Sequence, residues 1–282
     1  MDRKELGGQG RMKLSLAEPF ASKWENRDPF KEVFLLAGEV YRDMGDRCTS
    51  RFEVDGKAYF VKTHTGVGWL EILKNLFFLR RPILGAENEY QAIVRLGELG
   101  IKTMVVTAFG SSGWNPAKKK SFLITEALEP TKPLDEYCNS ATLVEMGAFQ
   151  RRSLVRRLAG ITRALHENGI NHRDYYLCHF LVDISERHSK DSFVERPISL
   201  IDLHRAQIRQ RAPRRWRHKD LSALYYSANR IGFDRKDMLC FIREYKEKSL
   251  REALQDDCNF WESIALQAKN LHQKGVRKGY HS

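Results

Sequence analysis

At 282 residues the chain is long enough for one large domain or two lobes. Its 42% apolar and 30% charged content excludes a disordered chain. Lys and Arg number 48 against 36 Asp and Glu, and the resulting +12 implies an anionic partner: nucleic acid, a phosphorylated metabolite or a membrane bearing anionic lipid. Charge alone does not choose among them. The five cysteines are scattered without a CxxC pair, which argues against a zinc site or a disulfide framework and suits a reducing compartment. No apolar run approaches the roughly 18 residues a membrane span needs. The first twenty residues also lack a signal-peptide core. The expected location is therefore cytoplasmic, with peripheral membrane contact left open.

Residues 1–11 read as a flexible extension, including the cluster Gly7, Gly8 and Gly10, which follows no strand. From Cys48 to Lys62 the pattern predicts a hairpin turning at Asp55-Gly56, with Ala58-Tyr59-Phe60-Val61-Lys62 as its second strand. A helix is predicted over 69–79, ended by Arg81-Pro82, and a second over 86–99, stopped by Gly100. Strands follow near 104–109 and 121–125. Beyond Glu126 the pattern turns helical, most clearly over 151–168, where Leu154, Leu158, Ile161 and Leu165 form one stripe closed by Gly169. Short apolar runs at 180–184 and 198–203 precede a helical remainder from Arg217. Strands in the first half and helices in the second predict an α+β chain: a small β-rich N-lobe over 12–127 and a larger, mainly helical C-lobe over 128–282.

Four residues, in chain order Lys62, Glu89, Asp174 and Asp202, carry chemistry. Ile170-Asn171-His172-Arg173-Asp174 follows a strong helix and its glycine stop, which is where a kinase places an Asp to accept the proton of a substrate hydroxyl. A solvated polar turn is the plain alternative. Ile198-Ser199-Leu200-Ile201-Asp202 is an apolar strand ending in a carboxylate, rigid enough to hold the divalent ion that bridges nucleotide phosphates. An ordinary turn Asp would look the same. Lys62 on its apolar strand points either to solvent or to phosphates, and in the second case a helix Glu would hold it; Glu89 is the natural partner and Glu87 the competitor. Each signal is weak alone. Their order is the one a two-lobed kinase requires.

The chain resembles the lipopolysaccharide core heptose kinases of Gram-negative bacteria, relatives of the eukaryotic-like protein kinases. The resemblance covers about residues 12–275. It rests on Phe60-Val61-Lys62, Leu84-Gly85-Ala86-Glu87-Asn88-Glu89, Gly169-Ile170-Asn171-His172-Arg173-Asp174 with Cys178-His179-Phe180, and Ile201-Asp202-Leu203-His204-Arg205-Ala206-Gln207. Pro213-Arg214-Arg215-Trp216-Arg217 and Lys219-Asp220-Leu221 extend it. The resemblance implies a bilobal protein-kinase-like fold and ATP-dependent phosphorylation of the first heptose of the inner core, at its 4-hydroxyl. Asp174 would be the base, Asp202 a metal ligand, and Lys62, Glu89 and Glu126 nucleotide contacts. It further implies an acidic acyl carrier protein as a partner, and the lipopolysaccharide inner core at the membrane surface as substrate. Asp220 resembles the helix-start Asp that braces the catalytic loop in related kinases, and helix N-capping fits it equally well.

Two departures stand out. No glycine-rich phosphate loop is present, so the hydroxyls of Thr49 and Ser50 and the guanidinium groups in Arg47-Cys48-Thr49-Ser50-Arg51 are the expected substitutes for bare backbone amides. Five residues beyond Asp174, kinases place Asn as a second metal ligand, and this chain has His179. Mg2+ prefers oxygen donors, so His179 would bind Mn2+, orient Asp202, or leave that site weak. The basic run after Asp202 predicts substrate contacts by Arg205, Arg209, Arg214 and Arg215, since the inner core carries phosphates and sugar carboxylates. The helix over 69–79 either rests on a membrane interface or packs on its own protein, and packing is the expectation. Competing readings are a kinase for another sugar or for protein, a basic RNA-binding protein, and an inactive scaffold. Trp216 among arginines is the only hint of RNA binding, so no nucleic acid is expected.

Overall fold

The computed structural model describes residues 4–5, 12–36, 38–77, 85–139, 143, 145–188 and 195–277. Apart from residues 4–5, the expected extension with Gly7, Gly8 and Gly10 lies outside the described residues. So do the end of the predicted 69–79 helix, Arg81-Pro82 and Leu84. The chain divides into two compact units: Met1–Arg95 with Thr103–Leu128, and Leu96–Lys102 with Glu129–Ser282.

The first unit is built on a seven-stranded antiparallel sheet. Its strands are β1 (Lys4–Glu5), β2 (Met12–Leu16), β3 (Glu39–Asp43), β4 (Arg47–Val54), β5 (Lys57–His64), β6 (Val106–Ser112) and β7 (Lys120–Glu126), in the spatial order β1-β2-β6-β7-β5-β4-β3. β7 is central, and Ser121, Phe122, Leu123, Ile124 and Thr125 are all buried, as expected of a strand covered on both faces. On one face Phe52, Tyr59, Val61, Phe122 and Ile124 pack with Phe20 of α1 (Phe20–Lys23) and with Val33, just beyond α2 (Pro29–Glu32). Alternation sends Lys62 to the other face, in line with its partner Leu123 and with Phe109 beyond it. Helix α4 (Glu87–Glu98) covers that face, with Tyr90 stacked on Phe109 at 4.1 Å between ring centres.

The β4–β5 turn falls at Asp55-Gly56 as the sequence predicts, both residues having positive φ. β3 and its turn through Gly45 were not anticipated; all five β3 residues are exposed, so no buried alternation marks the strand. Helix α3 (Gly68–Phe77) forms where expected but corrects the packing expectation: among its described apolar side chains Ile72 is buried, while Trp69, Leu70, Leu73 and Phe77 are exposed.

The second unit is mainly helical: α5 (Leu134–Tyr137), α6 (Ala148–Glu167), α7 (Arg214–Arg230), α8 (Arg235–Lys246) and α9 (Leu250–Arg277). Ala159, Leu221, Ile242, Tyr245, Ala253, Phe260, Trp261 and Ile264 form its core, where α6, α7, α8 and α9 meet. Two small antiparallel sheets carry the loops that matter. β8 (Thr131–Pro133), β10 (Phe180–Asp183) and β11 (Ile198–Leu200) make one; β9 (Ile170–Asn171) and β12 (Gln207–Ile208) make the other. All five cysteines are free thiols, and no helix among the described residues is long and apolar enough to cross a membrane.

Candidate active site

In the first unit Lys62 Nζ donates to Glu89 Oε1 at 2.6 Å. Glu89 is 2% exposed and Lys62 27%. A carboxylate this deeply buried requires a cationic partner. β5 supplies it because Lys62 falls on the strand face that α4 covers. The start of α4 is fixed by the Ser121 hydroxyl, which accepts from the Ala86 N–H at 3.0 Å. The competitor Glu87 is occupied elsewhere, by Lys119 at 2.6 Å and by Lys13. Thr49 lies directly opposite Lys62 and shares its face, whereas Ser50 lies opposite Val61 on the core-facing side. The register therefore separates two residues that the sequence grouped together. Glu126 ends β7 with its carboxylate on Lys57 at 2.6 Å.

The second unit holds the other constellation. Gly169 closes α6 at φ +76, and a Cβ there would lie 1.7 Å from the Arg209 carbonyl, so only glycine allows β9 to begin against β12. The loop that follows leaves regular structure, with Arg173 at φ 77. Asp220 holds it from below: its Oδ2 accepts from the His172 N–H and its Oδ1 from the Arg173 N–H, both at 2.7 Å. Asp220 is 1% exposed and lies inside α7, whose N-cap is Pro213. Capping is thereby excluded, and bracing of the loop is its structural role.

Buried His172 donates through Nε2 to the Ile201 carbonyl at 2.9 Å, leaving Nδ1 to accept from the Asp174 N–H at 3.3 Å. This pattern is that of a neutral ring, and burial pulls the group below its ordinary range. Asp174 is thus set at a fixed place in the loop. Its two oxygens each accept from Arg205 Nη1 at 2.9 Å.

Asp202 follows β11 in a left-handed conformation, φ 62 and ψ 49, a costly one for a residue with a Cβ. Its Oδ1 accepts from His204 Nδ1 at 2.5 Å, and its Oδ2 lies 3.4 Å from His179 Nε2. His179 Nδ1 donates to the Asp174 carbonyl at 2.6 Å, so one imidazole spans the two acidic loops. Burial lowers the basicity of His179, but hydrogen bonds to Cys178 and to the Asp174 carbonyl, with the Asp202 charge, outweigh it and push the ring up to about 9. No group of three or more His, Cys, Asp or Glu among the described residues forms a metal cage. Mg2+ does not need one: it is held through one or two carboxylates plus phosphate oxygens and water, and Asp202 suits that need. His179 presents only a nitrogen, which must lose its proton before it can coordinate a metal.

The arginines expected to meet substrate are largely engaged within the chain. Arg205 holds Asp174. Arg209 donates to Asn171 Oδ1 at 2.7 Å and to Gln207 Oε1 at 2.6 Å. Arg214 pairs with Asp257 at 2.8 Å, and Arg215 lies over the Trp216 ring at 5.3 Å. His204 was missed by sequence reasoning. Its place two residues after a candidate metal ligand was the available signal, since metal-site carboxylates are commonly held by a second residue.

Comparison with solved structures defines the class. A Rio2 kinase from Chaetomium thermophilum superposes with a TM-score of 0.51 at 11% identity, over 96% of this chain and 82% of its own. That likeness, with the mixed architecture above, makes the fold protein-kinase-like. The particular family follows from sequence. The model of the lipopolysaccharide kinase (Kdo/WaaP) family matches residues 31–245, and the chain belongs to that family. The lipopolysaccharide core heptose(I) kinase WaaP of Pseudomonas aeruginosa is 45% identical over 268 residues, covering 95% of this chain and 99% of that protein. Its counterpart from Escherichia coli K12 is 43% identical, covering 94% and 99%. A solved structure of WaaP in complex with acyl carrier protein matches at 42% identity with a TM-score of 0.79, over 92% of this chain and 98% of that one.

Proposed function

We propose that this protein transfers the γ-phosphoryl group of ATP to the 4-hydroxyl of the first heptose of the lipopolysaccharide inner core, with Asp174 as the base. The observation that carries this reading is the Asp174 carboxylate, set by a braced loop and held through both oxygens by Arg205. Each oxygen keeps a lone pair free of Arg205, so one can take the proton of the sugar hydroxyl as it attacks phosphorus. Lys62, kept in place by Glu89, would contact the nucleotide phosphates; Thr49, on the same strand face, is the nearer candidate for a further contact than Ser50. Glu126 would have to release Lys57 to reach nucleotide. Asp202, oriented by His204, would hold Mg2+, or Mn2+ if His179 joins it. Such an ion neutralises charge that develops on the phosphate oxygens.

The relatives named above act on core heptose, and their near-complete coverage supports the same substrate here. The relative solved with acyl carrier protein supports that acidic protein as a partner, met by a chain of net charge +12. A lipid-anchored substrate supports peripheral placement on the cytoplasmic face of the inner membrane. Of the four arginines, Arg215 is exposed and has no carboxylate partner among the described residues, which makes it the strongest candidate to meet substrate anions.

The test is mass spectrometry of purified core lipid incubated with ATP and the protein. A gain of one phosphate on the first heptose is expected, reduced about a thousandfold in Asp174→Asn with unchanged thermal melting. Phosphorylation of peptides or other sugars with core lipid unmodified would refute the substrate; wild-type turnover by Asp174→Asn would refute the base.

A further inference from the structure

α3 contradicts the usual logic of an amphipathic helix, because its apolar stripe faces outward. Trp69, Leu70, Leu73 and Phe77 are 53%, 87%, 58% and 83% exposed. At about 100° per residue these four fall within an arc about 100° wide, with Ile72, the buried one, outside it. They form a ridge rather than a pocket.

Beside this ridge lies a fixed lysine turn. α3 packs on the short helical turn Pro116–Lys118, which Asn115 caps by accepting from the Ala117 N–H at 3.0 Å. The link into α3 is pressed on the same turn: at Gly66, φ +106, a Cβ would lie 2.6 Å from the Ala117 carbonyl and 2.9 Å from Lys118 Cα. Lys118 and Lys120 are exposed and make no ion pair among the described residues, while Lys119 is held by Glu87. Trp114, just before the turn, is 77% exposed. α3 itself carries one acid, Glu71, and one base, Lys74, so the net positive charge comes from the turn.

We propose that α3 and the turn at residues 114–120 form a docking face for an anionic lipid bilayer. The apolar ridge enters the boundary between headgroups and acyl chains, tryptophans sit at headgroup depth, and Lys118 and Lys120 meet lipid phosphates. A protein partner would instead be expected to find a pocket for an anchoring side chain. The value of such docking to the enzyme rests on the lipid-anchored substrate proposed above; the binding itself does not.

The experiment is sedimentation of the full chain with vesicles of mixed phosphatidylcholine and phosphatidylglycerol, against phosphatidylcholine alone. Wild type is expected to partition onto the anionic vesicles. Lys118→Gln with Lys120→Gln should weaken this about fivefold per lysine. Leu73→Glu with Phe77→Glu should weaken it at least tenfold, without loss of fold, because both side chains are already exposed. In the latter variant, phosphorylation of core lipid held in vesicles should fall, while that of soluble deacylated core oligosaccharide stays at the wild-type rate. The inference is overturned if wild type ignores anionic vesicles, if the variants partition as wild type does, or if they lose acyl carrier protein while keeping the vesicles. A protein that phosphorylates neither form of the core would refute the proposed function, yet the partition measurement would still decide the docking face.

Discussion

Lys62 and Glu89 stand on a regular strand and a regular helix, whereas Asp174 and Asp202 stand on backbone that is neither. The first pair is positioned by register: strand alternation chooses the face, the helix covers it, and one short ion pair finishes the geometry. The second pair needs outside support. Asp174 follows a residue at positive φ and depends on Asp220 and Arg205, distant in sequence; Asp202 is itself at positive φ and is held by His204 nearby and approached by His179. Regular elements place a charge through backbone periodicity. Irregular loops place one through buried hydrogen bonds.

That contrast can be broken most forcefully at Asp220. Asp220→Ala leaves two loop N–H groups buried without acceptors, each bond to the carboxylate being worth about 1.5–3 kcal/mol. Urea denaturation should show a loss of about 3–5 kcal/mol, with kcat falling as well. Retention of both would mean that the loop holds itself. Lys62→Met tests the regular side. It strands the Glu89 carboxylate, a loss of about 3–5 kcal/mol for a fully buried pair; the partial exposure of Lys62 reduces the expected cost to about 1–3 kcal/mol, read from the denaturation midpoint. Glu89→Gln in the same background should recover much of it.

Smaller effects sharpen the comparison. Arg205→Met removes the cation whose one nitrogen serves both Asp174 oxygens, so kcat should drop about tenfold with little change in the KM for ATP. An equal change in both would assign Arg205 to nucleotide binding instead. His179→Asn replaces a nitrogen donor by an oxygen, and Mg2+-dependent nucleotide affinity, measured by calorimetry, should rise about threefold relative to Mn2+. An unchanged metal preference would leave His179 as only the bridge between the two loops.

Much of the regular framework was legible. The β4–β5 hairpin turned at Asp55-Gly56, α4 ended before Gly100, and α6 ended before Gly169, because turn and stop residues act locally. β3 escaped notice because an exposed edge strand has no buried face to impose alternation. α3 was readable as a helix, yet the direction of its stripe was not, since periodicity gives a face without saying what lies opposite it. Thr49 and Ser50 looked equivalent as adjacent hydroxyls until register put them on opposite faces. The arginines after Asp202 read as one basic run, though Arg205, Arg209 and Arg214 each hold a group within the chain.

By itself the amino-acid sequence determined the turns and stops of the main elements from β4 onward, the candidate residues for phosphoryl transfer, and the family to which they belong. It did so because propensity, turns and motif spacing are properties of neighbours in the chain. Only the tertiary structure decided that Asp220 braces the loop before Asp174 rather than caps a helix, that Arg205 holds Asp174, and that the apolar side of α3 meets solvent. Those outcomes turn on contacts between residues dozens of positions apart, where burial and hydrogen-bond geometry select one partner among several of the same charge.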